Sequence, residues 1–107
     1  MPKNILFLCS QNKLRSPTAE AVFCDYAGIE VDSAGLNDSA EIPLTEEHLE
    51  WSEHIFVMEK NHRTRLNNKF GSHLKGKKVT VLNIPDDFPY MDEALILLLK
   101  QKCAMYF

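Results

Sequence analysis

One segment of the 107-residue chain gathers residues that could do chemistry: Cys9-Ser10-Gln11-Asn12-Lys13-Leu14-Arg15-Ser16, followed at once by Pro17. A cysteine, five residues, an arginine and a serine separate an apolar run from a helix start. Five intervening residues are enough to curl a loop so that its backbone N–H groups point inward. The helix behind adds unsatisfied N–H groups and the positive end of its dipole. Arg15 can offer a bidentate fork to two oxygens. Such a loop is a cradle for a tetrahedral oxyanion, with Ser10, Gln11, Asn12, Lys13, Leu14, Arg15 and Ser16 as candidate phosphate-binding residues. The same donors favour a thiolate at Cys9, and a thiolate on the floor of a phosphate cradle is a nucleophile aimed at phosphorus. Ser16 is placed both to hydrogen-bond the sulfur and to cap the helix. Lys13 can draw a dianion to the mouth. The bland alternative is a buried cysteine that merely ends a strand.

The surrounding pattern supplies the elements that would hold this loop. Residues 3–9 (KNILFLC) are nearly unbroken apolar, as a parallel strand covered on both faces should be. A helix opens at Ser16-Pro17, buries Ala19, Val22, Phe23 and Tyr26, and closes at Gly28. Residues 29–33 form a second strand ending at a Gly35 turn, and 36–43 read as polar loop. Thr45 caps a second helix, with Leu44 and Leu49 set for a hydrophobic staple. Residues 54–58 (HIFVM) are a third strand, 61–70 a basic helix stopped by Gly71, and 78–84 (KVTVLNI) a fourth strand. Asp92 caps a last helix reaching about Ala104. This alternation predicts an α/β fold of three layers, αβα, around a parallel sheet. In such sheets ligands collect beyond the carboxyl ends of the strands, where Cys9 to Ser16 lies. Residues 1–107 read as a single domain.

Composition narrows the function. The chain is 45% hydrophobic and 25% charged, ordinary for a globular protein, and has no apolar run long enough to span a membrane. The N-terminal apolar stretch is too short for a signal peptide, so a cytoplasmic address is expected. A net charge of −3 does not favour nucleic acid as a partner. Seven of the twelve Lys and Arg residues fall between Lys60 and Lys78, which reads as a solvated helix face. Three cysteines, Cys9, Cys24 and Cys103, form no disulfide framework, and Cys24 and Cys103 read as buried helix thiols. His48, His54, His62 and His73 share no spacing, so none is assigned to catalysis or metal. Trp51 and Leu49 read as core.

Residues 5–23 (ILFLCSQNKLRSPTAEAVF) closely resemble the start of low-molecular-weight protein tyrosine phosphatases. The likeness continues at Asp32-Ser33-Ala34-Gly35, Ile55-Phe56-Val57-Met58 and Ile84-Pro85-Asp86. The resemblance implies a flavodoxin-like, four-stranded parallel sheet and a phosphomonoester hydrolase without metal or other cofactor. Its partner would be a phosphorylated small molecule or a phosphotyrosine protein. Cys9 would match the nucleophile, Arg15 the phosphate clamp, and Asn12 and Ser16 the residues that hold the loop. The general acid would be Asp86, which fits the family's Ile-Pro-Asp, with Asp87 as runner-up. The chain also departs from the family. Gln11 stands where a glycine is usual and would narrow the cradle or strain the backbone. Leu14 replaces a second cysteine. A deletion between Gly35 and Leu44 removes an aromatic-bearing substrate loop, so the cleft should be shallow. Phe88 and Tyr90 either replace that wall or pack against the last helix.

Two competing functions remain on the sequence. A non-catalytic phosphate or phosphopeptide binder would keep the cradle and lose the acid. An arsenate reductase would need resolving cysteines, and neither Cys24 nor Cys103 occupies the paired positions.

Overall fold

The computed structural model describes residues 3–107. Strand β1 is Lys3–Cys9, α1 Arg15–Phe23, β2 Ile29–Gly35, α2 Glu46–Trp51 and β3 His54–Val57. Helix α3 is Lys60–Phe70, β4 Lys78–Val81 and α4 Glu93–Cys103, with short 3-10 turns at Gly71–Leu74 and Ala104–Tyr106. The four strands form one sheet in the order β2-β1-β3-β4, every pairing parallel. β1 is therefore central and must be apolar on both faces.

Strand periodicity sorts β1 between two cores. Ile5, Phe7 and Cys9 enter a cluster with Ala19 and Phe23 of α1, Phe56, and Leu95, Leu99 and Cys103 of α4. Leu6 and Leu8 enter the opposite cluster with Leu49 of α2, Leu66 of α3, Ile55 and Val57. The helices thus lie on both faces, two to a side. That is the expected three-layer arrangement, with Cys9 as the last residue of the central strand, facing α1.

Several local expectations hold. The Thr45 hydroxyl accepts from His48 N–H, and Leu44 and Leu49 share one cluster as a staple requires. Asp92 accepts from the N–H groups of Ala94 and Leu95 at 3.0 and 3.3 Å. Others are corrected. Helix α1 starts at Arg15 and is preceded by Leu14, so Ser16 is not its cap and sits within the first turn. The helix ends at Phe23, five residues before Gly28, so Gly28 serves instead the left-handed turn (φ 85°) that leads into β2. Tyr26 lies beyond that helix end and is 40% exposed. Cys24 is exposed, while Cys103 is fully buried and its thiol is pushed up to about 12 by burial. The basic helix does end at Phe70 with Gly71 at its C-cap, as expected, although Gly71 is right-handed there and leads into a 3-10 turn. Strands β3 and β4 end at Val57 and Val81, earlier than the apolar pattern suggests, and beyond β4 Asn83 takes a left-handed backbone (φ 56°). Leu82 and Ile84 are still held, through N–H bonds to the carbonyls of Val57 and Met58 at 2.9 and 2.8 Å.

Two buried histidines make stability depend on acid. His54 stacks on Phe56 with centroids 4.1 Å apart and shares a 2.7 Å bond with the Thr80 hydroxyl. Burial, and then the charges of Lys3 and Lys78, lower its pKa to about 4. His62 is lowered to about 4 as well, first by burial and then by Arg15. A neutral histidine in the fold that ionises near 6.5 when unfolded stabilises fully above that pH. The unfolded chain takes up the protons first, so stability falls as pH drops from about 6.5 toward 4. The thermal midpoint should decline across that window, and His54→Gln should flatten the decline.

Candidate active site

The loop from Ser10 to Leu14 leaves β1 and enters α1 with its carbonyls tied outward. The carbonyls of Cys9, Ser10 and Gln11 accept from the N–H groups of Leu36, Asn37 and Glu41 at 2.9, 2.9 and 3.0 Å. In a planar trans peptide the next residue's N–H points opposite to the carbonyl. The N–H groups of Ser10, Gln11 and Asn12 are thereby turned to the inside of the loop. That of Asn12 reaches Cys9 Sγ at 3.3 Å. Asn12 adopts a left-handed backbone (φ 55°), which asparagine tolerates better than most residues. Gln11 shows no positive φ, so the strain expected there falls on Asn12 instead.

The loop rests on a buried polar brace. Asn12 Nδ2 donates to the hydroxyls of Ser16 and Ser33, both at 3.0 Å. Ser33 donates onward to Glu20 at 2.5 Å. Ser16 Oγ lies 2.9 Å from Cys9 Sγ, so of its two expected roles it takes the one toward sulfur. Asn12 and Ser16 are buried behind the loop and hold it from outside the cavity. Gly35 lets the β2–α2 connection press against this brace. A Cβ there would sit 2.5 Å from Ala40 Cβ, 2.8 Å from the Ser10 carbonyl oxygen and 3.0 Å from Asn12 N. Gly35→Ala should therefore cost about 1–3 kcal/mol of stability, read by denaturant melts, and loosen the loop as well.

The loop encloses a cavity of about 100 Å³ lined by Cys9, Ser10, Gln11, Lys13, Leu14, Arg15 and Asp86. Cys9 is only 3% exposed, yet it lines the cavity. The Arg15 guanidinium is buried and anchored through Nη1, which donates to Glu59 at 2.5 Å and to the Ile84 carbonyl at 2.8 Å. Nε lies 3.7 Å from Asp86 Oδ1. Among the described residues, Nε and Nη2 make no hydrogen bond, which leaves one edge of the fork for an anion. The Arg15 guanidinium holds the Glu59 carboxyl below its ordinary range by hydrogen bond and charge.

Of the two candidate acids, Asp86 lines the cavity and Asp87 does not. Phe88 is half-buried against the core beneath α1 and α4, and Tyr90 is 53% exposed. Neither lines the cavity, so the substitute aromatic wall is not formed, and the short β2–α2 loop contains no aromatic residue.

Three residues near the site have no sequence assignment: Glu59, His62 and Arg65. His62, set aside with the other histidines, is buried, and its Nε2 lies 3.1 Å from Ser10 Oγ. Arg65, read as part of a solvated basic face, donates to Ser10 Oγ at 3.1 Å and to Asn37 Oδ1. The available signal was position. Residues 59–62 immediately follow the third strand, and sites in parallel sheets form beyond every strand's carboxyl end.

Residues 4–53 match the family model "Low molecular weight phosphotyrosine protein phosphatase". The matched residues make up just under half of the chain, which over them is similar to that family. A protein-arginine-phosphatase of Geobacillus stearothermophilus is 29% identical over 94 residues, which take in 65% of this chain and 64% of that protein. The chain thus matches less than two thirds of that relative's length. A mutant of YwlE from Bacillus subtilis superposes with a TM-score of 0.73 at 25% identity, covering 96% of this chain and 97% of that one. The tyrosine phosphatase Wzb of Escherichia coli K30, in complex with phosphate, gives a TM-score of 0.79 at 18% identity, covering 99% and 96%. At that identity the likeness speaks to the fold, and it bears out the phosphatase-like α/β architecture. Within the family match fall Cys9, Arg15 and Ser16, whereas Asp86 lies outside it.

Proposed function

We propose that this chain is a short, divergent member of the low-molecular-weight phosphatase family and a cysteine-dependent phosphomonoester hydrolase, with Cys9 as nucleophile, Arg15 as phosphate clamp and Asp86 as general acid. The observation that carries the reading is one cavity lined by Cys9, Arg15 and Asp86, with Arg15 Nε 3.7 Å from Asp86 Oδ1. The Cys9 sulfur lies 3.3 Å from the Asn12 N–H of the loop and 2.9 Å from the Ser16 hydroxyl in the first turn of α1.

The chemistry runs in two displacements. Sγ attacks phosphorus in line while the fork of Arg15 and the inward N–H groups hold the non-bridging oxygens. The S–P bond forms as the ester P–O bond breaks, and Asp86 gives its proton to the departing oxygen. Water then attacks the phosphocysteine, Asp86 takes back a proton, and the S–P bond breaks to release inorganic phosphate. The two displacements as written use no metal.

The substrate class we propose is an aryl phosphate, including phosphotyrosine in protein. A second class follows from the arginine phosphatase among the relatives: phosphoarginine, whose P–N bond would be cut by the same attack with Asp86 protonating nitrogen. The cavity grips the phosphoryl group and offers no aromatic wall, which accommodates either leaving group. Purified protein should release p-nitrophenolate from p-nitrophenyl phosphate, and phosphate from phosphoarginine. Phosphate binding with no turnover of either compound would reject the hydrolase reading in favour of a binding module.

A further inference from the structure

Resting on the phosphoryl-binding reading of this cavity, we propose that Ser10 is a substrate-binding side chain: His62 and Arg65 occupy its hydroxyl oxygen and leave its proton to be donated to a non-bridging oxygen of the phosphoryl group above Cys9. His62 Nδ1 accepts the backbone N–H of Glu59 at 3.1 Å. The neutral ring, kept so by burial, must then carry its proton on Nε2. That proton is donated to Ser10 Oγ at 3.1 Å. Arg65 has only donors, and its Nη1 reaches the same oxygen at 3.1 Å. A hydroxyl has two acceptor sites and one donor. Both acceptor sites are taken from the α3 side, so the O–H must be given elsewhere.

Ser10 lines the cavity and is the one hydroxyl-bearing residue that does so among the described residues. Its proton is therefore available to an anion resting on the inward N–H groups. Arg65 is itself steadied by Asn37 Oδ1, and Lys69 of the same helix reaches Asp38 at 2.7 Å. Helix α3 and the β2–α2 loop thus clamp together behind the Ser10 hydroxyl. His62 and Arg65 are positioning residues that act through Ser10.

The test is calorimetric binding of inorganic phosphate to wild type, Ser10→Ala, Ser10→Thr, His62→Gln and the double variant Ser10→Ala/His62→Gln. Loss of a hydrogen bond to a charged group should weaken phosphate binding about ten- to a hundred-fold in Ser10→Ala. Ser10→Thr, which keeps the hydroxyl, should bind within about three-fold of wild type. His62→Gln should weaken binding alone and add nothing in the Ser10→Ala background. Arg65→Gln makes the same comparison if His62→Gln does not fold. Wild-type affinity in Ser10→Ala, no recovery in Ser10→Thr, or a fully additive double variant overturns the proposal. The readout does not require turnover. A protein that binds phosphate through Ser10 but cleaves no ester retains this inference and loses the hydrolase reading, whereas an active enzyme indifferent to Ser10→Ala does the reverse.

Discussion

Cys9→Ser is expected to lower turnover of p-nitrophenyl phosphate by about ten-thousand-fold or more while phosphate still binds. The cradle is built from backbone N–H groups, Arg15 and the Asn12–Ser16–Ser33 brace, and none of these depends on the sulfur being present. What is lost is the proposed nucleophile. A serine hydroxyl remains protonated near neutral pH, and among the described residues no base lies beside it. Its neighbours are the Ser16 hydroxyl and the Asn12 N–H, which steady an anion and cannot take a proton. Stopped-flow release of p-nitrophenolate and calorimetry with phosphate separate the two effects. Turnover surviving in Cys9→Ser would remove the cysteine mechanism outright.

Asp86→Asn should lower kcat by about a hundred- to ten-thousand-fold, with the larger loss for substrates whose leaving group is the stronger base. p-Nitrophenolate leaves readily without a proton, so phenyl phosphate is the more telling substrate. The ratio of the phenyl phosphate loss to the p-nitrophenyl phosphate loss is therefore the reading that identifies the acid. Asp87→Asn should keep kcat near wild type on both substrates, as Asp87 does not line the cavity. The reverse pattern would move the acid to Asp87. KM for Asp86→Asn should change little beside kcat, since Arg15 keeps its anchors at Glu59 and Ile84.

Much of this molecule was legible from the order of its residues. The apolar run at 3–9 fixes a central parallel strand, because only such a strand is buried on both faces. The Cys9 to Ser16 spacing places a sulfur and a guanidinium at the two ends of a loop at the sheet's carboxyl edge. Asp92 and Thr45 announce their helix starts through local hydrogen bonds, which sequence encodes directly. Short-range information failed where a residue answers to a distant partner. Ser16 has the composition of a cap, yet the sulfur of Cys9 and the amide of Asn12 take its hydroxyl. Gly35 reads as a turn glycine, yet it is required by the approach of Ala40 and Ser10.

The histidines mark the boundary most sharply. No spacing sets His62 apart from His48, His54 or His73, and only the crossover from β3 to α3 brings it to Ser10. The same crossover takes Glu59 to Arg15, 44 positions away in the chain, and Arg65 to Ser10, 55 away. By itself the sequence determined the strand-and-helix frame and the cradle whose parts are adjacent in the chain. The tertiary structure decided which distant groups aim that cradle, because an ion pair or a shared hydroxyl depends on distance in space, and chain separation does not specify it.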